Sequence, residues 1–203
     1  MRIITGEFKH RLLVSPVSLT TRPITDKVKV ALFNILSGRP ENAIVLDLFC
    51  GTGSMGLECL SRGARHVYFA ERDRDALTGL RQNIAAFGLG GRGTIWEGDI
   101  LGYFWERISV LPQAVDLAFI DPPYSMVEQW DWAKMADDLF GPLGARLNAG
   151  GLVMLRCLKG TTVPDELGPL KVSDRRKYGK MALVFLGLKE EEGQQAGGPT
   201  GQQ

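Results

Sequence analysis

The sequence predicts an α/β fold built on a mostly parallel sheet, and three observations carry that prediction. From residue 43 onward, short apolar or β-branched runs alternate with longer amphipathic ones, the pattern of strands joined by crossover helices. The first such strand runs into a glycine-rich loop, VLDLFCGTGSMG at residues 45–56, and from there into a helix. After residue 157 the alternation stops, because two consecutive strand-like runs flank Gly179 with no helix between them. Five strands followed by that antiparallel edge hairpin make a seven-stranded sheet.

In chain order, residues 2–5 and 8–14 can pair around Gly6 as an N-terminal β-hairpin. Thr25 or Asp26 then caps a helix whose apolar stripe is Val28, Ala31, Leu32, Ile35 and Leu36. Strands are expected over residues 43–49, 66–71, 93–99, 115–121 and 151–157. Between the first two, Ser54 can cap a helix reaching about residue 61, with Gly63 where a helix end needs positive φ. A further helix over residues 74–87 sets Ala76, Leu77, Leu80, Ile84 and Phe87 on one face, and Gly88 stops it. The closing hairpin pairs residues 170–178 with 180–188. The expected layout is an extension over residues 1–25, one domain over 26–188, and a disordered tail over 189–203, which lacks apolar residues to bury.

Composition narrows the class. A chain of 203 residues with 44% hydrophobic and 23% charged residues is that of an ordinary globular domain. Charges at Glu7, Lys9, His10 and Arg11 interrupt any export signal, and no apolar run is long enough to span a membrane, so a cytoplasmic protein is expected. Cys50, Cys59 and Cys157 form no metal-binding spacing with His10 and His66, so no metal is expected and the thiols read as small buried hydrophobes. Net charge is only +1, but it is unevenly spread. Arg2, Lys9, Arg11, Arg22, Lys27 and Lys29 outnumber Glu7 and Asp26, while Lys171, Arg175, Arg176, Lys177 and Lys180 outnumber Asp174. Two basic patches of this kind can flank one phosphate-binding surface, or can simply be solvated faces.

Gly51, Gly53 and Gly56 spell GxGxxG, and Glu71 lies at the end of the next strand, where an acidic residue accepts hydrogen bonds from ribose hydroxyls. A dinucleotide satisfies those features alone. Asp47 argues against it, since an anion beside the loop repels a pyrophosphate and attracts a cation. The DxFxGxG spelling, made by Asp47, Phe49, Gly51 and Gly53, therefore points to S-adenosylmethionine, which carries an ammonium, a sulfonium and a ribose. Asp99 and Ile100, after the third strand, suit an adenine amino group and its apolar edge, although an Asp there also serves as a helix cap.

The motif FIDPPYS, residues 119–125, ends the fourth strand, where open α/β sheets place reactive groups. Pro122 and Pro123 stiffen the backbone after Asp121, so the Asp121 carboxylate and the Pro122 carbonyl can converge on one point. Two acceptors there hold the N–H groups of an aryl amine out of conjugation and expose its lone pair. Tyr124 supplies a face on which an extruded base can stack.

With these motifs in place the chain resembles the RsmD-type methyltransferases, which methylate guanine N2 in bacterial small-subunit (16S) ribosomal RNA. The resemblance runs over residues 2–188 through RIITGEFKHRLL, TRPITDKVKVALFNIL, LDLFCGTGSMGLECLSRGA, DPPY and RRKYGKMALVF, with the RPxTD segment and VxxALFNIL narrowing it. It implies a Rossmann-like class I methyltransferase fold, and a monomer acting on ribosomal RNA or the small subunit. It also implies that Asp47, Gly51, Gly53, Glu71 and Asp99 hold S-adenosylmethionine and that Asp121, Pro122 and Tyr124 hold the base. Arg22, Thr25 and Asp26 fall on the family's N-terminal motif near the active-site mouth, and Cys50 stands where many relatives have alanine. Charge placement adds Lys9 and Arg11 as phosphate contacts, helped by residues 175–177. The alternatives are an adenine-N6 methyltransferase on RNA or DNA, a catalytically inactive RNA-binding module, and an NAD-dependent oxidoreductase. A glutamine-methylating enzyme would more usually show NPPY.

Overall fold

A computed structural model describes residues 1–15 and 24–190. Arg22 and the tail beyond residue 190 lie outside the described residues. Among the described residues, eight strands, β1 (Ile44–Leu48), β2 (His66–Glu71), β3 (Gly93–Glu97), β4 (Val115–Ile120), β5 (Leu147–Leu158), β6 (Glu166–Leu167), β7 (Leu170–Tyr178) and β8 (Met181–Leu188), form one sheet. Their order is β3-β2-β1-β4-β5-β8-β7-β6. β1 to β5 are mutually parallel, and the last three are antiparallel, as the expected hairpin requires. The eighth strand is the two-residue β6, too short to leave a sequence pattern. β5 begins earlier than expected because Leu147 already pairs with Val115 before a register shift.

The strand order fixes where a ligand can sit. The chain lays β2 and β3 to one side of β1 and then returns to place β4 on the other, so a crevice opens beyond the carboxyl ends of β1 and β4. Both faces of the sheet are covered. Val45, Phe69, Phe119, Met154 and Leu183 pack under helices α1 (Asp26–Leu36), α2 (Ser54–Ser61) and α3 (Arg74–Ala86). Leu46, Ala118, Ile120, Leu155 and Val184 pack under α4 (Phe104–Ser109), α5 (Tyr124–Val127), α6 (Trp132–Met135) and α7 (Gly141–Gly144), the last two joined by a π-helical turn. Strict alternation between these two clusters sets the register, since a one-residue slip would exchange every core side chain.

The N-terminal extension is a looser hairpin than expected, with one bridge, Arg2 to Leu12, and a turn between. Three backbone hydrogen bonds join its arms, and docking on α2 and α3 adds to them. The backbone amides of Ile4 and Thr5 donate to Glu58 at 2.8 and 3.0 Å, Phe8 donates to Ser61 Oγ, and Val14 donates to Asn83 Oδ1. At Gly6, φ is +89°, and a Cβ would lie 1.8 Å from the Ser61 carbonyl oxygen, so only glycine fits.

Thr25 caps α1, and Asp26 occupies its first turn. The buried stripe of α1 is Val28, Lys29, Leu32, Phe33 and Leu36, rotated from the expected one, leaving Ile35 exposed. Lys29 lies inside because its ammonium meets the buried Glu58 carboxylate at 3.0 Å and donates to Ser54 Oγ and the Arg2 carbonyl. Ser54 is therefore not the cap of α2: Gly53 holds that position at φ +85°, and the serine hydroxyl serves Lys29 instead. Lys189, placed in the expected tail, is instead fastened to the Pro169 carbonyl and pairs with Glu166.

Candidate active site

The glycine loop crosses the left-handed region at Phe49, Gly51 and Gly53, with φ of 61°, 56° and 85°. Phe49 bears a Cβ there at a cost of roughly 1–2 kcal/mol, strain of the kind that functional turns retain. The turn brings the Gly56 amide to 2.8 Å from Asp47 Oδ2. Asp47 Oδ1 and Thr52 Oγ1 are buried and have no partner among the described residues. Burial pushes the Asp47 carboxyl well above the usual carboxylate range; the Gly56 amide opposes the shift, while Asp121 and Glu71 add to it. A buried, half-satisfied carboxylate is costly unless a cation or donor completes it.

Glu71 closes the far side of the loop. Its oxygens accept from the amides of Gly51, Arg72 and Asp73, each at 2.8 Å, which ties the end of β2 to the loop after β1. Asp99 caps a single 3₁₀ turn and pairs with Arg72 at 2.8 Å while remaining half exposed, and Ile100 is buried beneath it. Asp47, Phe49, Gly51, Gly53, Glu71, Asp99 and Ile100 thus lie along the carboxyl ends of adjacent strands β1, β2 and β3.

Asp121 follows β4, and its amide donates to the Leu48 carbonyl at 3.2 Å, so the DPPY segment directly adjoins the glycine loop. Pro122 is buried, and Pro123 and Tyr124 are half-buried. The Asp121 carboxylate accepts from Arg156 Nε, and the Arg156 guanidinium carbon lies 5.6 Å from the centroid of the Tyr124 ring. Burial raises the Asp121 carboxyl above its ordinary range, and Arg156 pulls it back down.

The structure does not bring all the expected substrate contacts together. Helices α2 and α3 run from the carboxyl edge of the sheet to the opposite edge, and Arg11 lies at the far end of α3, donating to the Ala86 carbonyl and covering the Phe87 ring. Lys9 sits in the turn that docks on Ser61, at the far end of α2. These two cations therefore lie at the edge away from Asp121. Arg2 pairs with Asp26 and Lys29 is buried, whereas Lys27 is exposed, and Arg22 lies outside the described residues. Thr25 and Asp26 act as the cap and first turn of α1. The second patch is placed differently: Arg156 is in register with Leu183, which pairs with Arg176, so Arg176, Lys177 and Tyr178 end at the Asp121 edge, although Arg175 pairs with Asp165 and Arg176 with Asp174.

Arg156, which meets Asp121 and Tyr124, is not among the residues expected from the sequence. A signal exists, since one arginine interrupts the otherwise apolar run VMLRCL, and a charge in a central strand demands a partner. Lys29, Glu58 and Asn83 leave no comparable signal, because helix positions of this kind are usually exposed.

The chain matches the family model described as "Conserved hypothetical protein 95" over residues 1–187. It is 28% identical to the "Putative rRNA methyltransferase YlbH" of Bacillus subtilis, over 91% of this chain and 97% of that protein. It is 34% identical to the "Ribosomal RNA small subunit methyltransferase D" of Escherichia coli, over 61% of this chain and 60% of that protein. Among solved structures, a hypothetical protein of Thermus thermophilus superposes with a TM-score of 0.75 at 28% identity, covering 93% of this chain and 99% of the other. The E. coli "Putative methyltransferase yhhF" superposes with a TM-score of 0.72 at 24% identity, over 94% and 99% of the two chains, a likeness of fold. The fold is that of the class I methyltransferases, and by its sequence the chain belongs to the RsmD-type family.

Proposed function

We propose that this chain transfers a methyl group from S-adenosylmethionine to the exocyclic N2 of a guanine in small-subunit ribosomal RNA. The observation that carries the reading is the hydrogen bond from the Asp121 amide to the Leu48 carbonyl, which sets the glycine loop and the DPPY corner side by side. The names of the B. subtilis and E. coli relatives support an RNA substrate.

The residues fit the donor. The unpartnered Asp47 Oδ1 is a buried acceptor suited to a cationic ammonium, and the loop from Phe49 to Gly53 allows close backbone approach. Glu71, held by three amides, keeps one lone-pair site for a ribose hydroxyl, with Asp99 and Ile100 beside the adenine position. When bound, the donor supplies a methyl group already activated on a positively charged sulfur. The protein's own contribution is alignment: one Asp121 oxygen and the Pro122 carbonyl accept from the amine N–H groups, and Tyr124 stacks on the base. The amine nitrogen would take up that methyl group, the bonding pair staying with sulfur, and Asp121 would pass the one proton released by the nitrogen to solvent. The RNA backbone would follow Lys177 and Lys180 at the same edge of the sheet.

Incubating the protein with tritiated donor and, in parallel, protein-free ribosomal RNA, small subunits, DNA and protein tests this reading. Label recovered as N2-methylguanosine after nucleoside digestion is the expected result. N6-methyladenosine, label in DNA or protein, or no transfer with any acceptor would refute it.

A further inference from the structure

The geometry points to Arg156 as a positioning residue for the transfer: its guanidinium fastens one Asp121 oxygen and lies over the Tyr124 ring, fixing the amine acceptor and the base-stacking platform in one relation. This inference rests on the reading of Asp121 as the amine acceptor. Arg156 extends from β5, two strands away from the glycine loop, and its neighbours Val153, Met154, Leu155 and Cys157 are all apolar and fully buried. Its side chain is only 5% exposed, and that of Asp121 is 15% exposed. A purely structural pair would satisfy the whole guanidinium, because an incomplete buried ion pair is weak support for a fold. Here Nε is committed to Asp121 while Nη1 is buried without a partner among the described residues. The guanidinium carbon stands 5.6 Å from the Tyr124 ring centroid, within reach of a cation–π contact.

With one Asp121 oxygen held by Arg156, a single oxygen is left for the amine, which removes the carboxylate's freedom to present either edge. The charges facing Asp121 are Arg156 from β5 and the like-charged Asp47 from β1, with Tyr124 contributed by α5. Arg156 is thus the counterweight to burial, and removing it leaves only influences that favour the protonated acid. A protonated Asp121 donates where it must accept.

The test compares wild type, Arg156→Met, Arg156→Lys and Asp121→Ala, with kcat measured against pH on ribosomal RNA and on small subunits and donor affinity measured by calorimetry. In Arg156→Met, kcat near neutral pH should fall about 10- to 100-fold, the cost of misplacing a reacting group by an ångström or less. The acid limb should move to higher pH, because activity is lost as pH falls through the Asp121 pKa and that pKa has lost its downward influence. Donor affinity should stay within about twofold, a change far below the tenfold step of 1.4 kcal/mol. Arg156→Lys keeps the charge without the forked geometry, so it should hold the limb near its wild-type position and restore kcat in part. Wild-type kcat and an unmoved limb in Arg156→Met would overturn the inference. Should that variant not fold, Arg156→Lys decides: reduced kcat with unchanged donor affinity supports the role, and wild-type kcat overturns it. An inactive Asp121→Ala beside a normal Arg156→Met would sink this inference alone, whereas an active Asp121→Ala would sink the proposed function with it.

Discussion

Asp47→Asn should separate what the buried carboxylate does for the fold from what it does for the donor. In the free protein Asp47 is 1% exposed, with one oxygen held by the Gly56 amide and the other without a partner among the described residues. Asparagine can still accept from Gly56 through its own oxygen, so that native hydrogen bond survives while the buried ionisable group is gone. Because burial raises the folded-state pKa of Asp47 above its unfolded value, the unfolded chain binds fewer protons between the two. Wild-type stability therefore falls as pH climbs from the ordinary carboxylate range through the raised value, and Asp47→Asn escapes that loss. The variant should be at least as stable as wild type at neutral pH, with an advantage that vanishes in acid, as urea denaturation at several pH values would show. Donor binding should suffer, since a hydrogen bond to a charged group is worth roughly 1.5–3 kcal/mol, or about 10- to 150-fold in Kd. Calorimetry on the wild type in buffers of different ionisation enthalpy should also detect proton release on binding, as the ammonium draws Asp47 into its ionised form. A variant destabilised by several kcal/mol with unchanged donor affinity would refute the reasoning.

Three further outcomes follow from the packing and the charge layout. Gly6→Ala should cost about 3 kcal/mol or more in urea denaturation, because a Cβ there collides with the Ser61 carbonyl at a left-handed backbone position; a loss under about 1 kcal/mol would contradict the docking described. Lys29→Met should destabilise by about 3–5 kcal/mol, since it leaves Glu58 buried with a missing counter-charge, and a neutral result would show that Arg62 suffices as its partner. Lys177→Glu with Lys180→Glu should weaken RNA binding and make its salt dependence shallower, by about 0.7 to 0.9 in slope for each lost contact, whereas Lys9→Glu should change neither in a filter-binding titration. Equal effects from Lys9 and from the hairpin pair would contradict the placement of the two patches.

The fold was legible because its signals are local and periodic. Alternating strands, capped amphipathic helices and the turn at Gly179 located the seven long strands and the first three helices, with strands His66–Glu71 and Leu170–Tyr178 matching at both ends, whereas the short helices α4 to α7 and the two-residue β6 carry too little periodicity to be bounded. What escaped was long-range pairing of polar side chains. Lys29 looked like part of a basic surface, yet its partner Glu58 lies on another helix, and the pair turns α1 so that a lysine faces inward. Ser54 looked like a cap but sits within reach of that same lysine. The DPPY corner was legible as a motif, whereas its companion Arg156 comes from β5, and sequence distance hid the contact. Charge counting along the chain gathered Lys9 and Arg11 with Arg22, but the run of α2 and α3 across the sheet carries the first two to the far edge.

The most direct test of the account is a crystal structure of the complex with S-adenosylmethionine or its demethylated product. The account predicts the sulfur between the loop from Phe49 to Gly53 and Asp121, with the ammonium on Asp47 Oδ1 and the methyl group opening toward a base position about 3–3.5 Å away, beside the Asp121 oxygen and the Pro122 carbonyl. A donor bound elsewhere, or one whose methyl group is walled off from Asp121 and Tyr124, would contradict it.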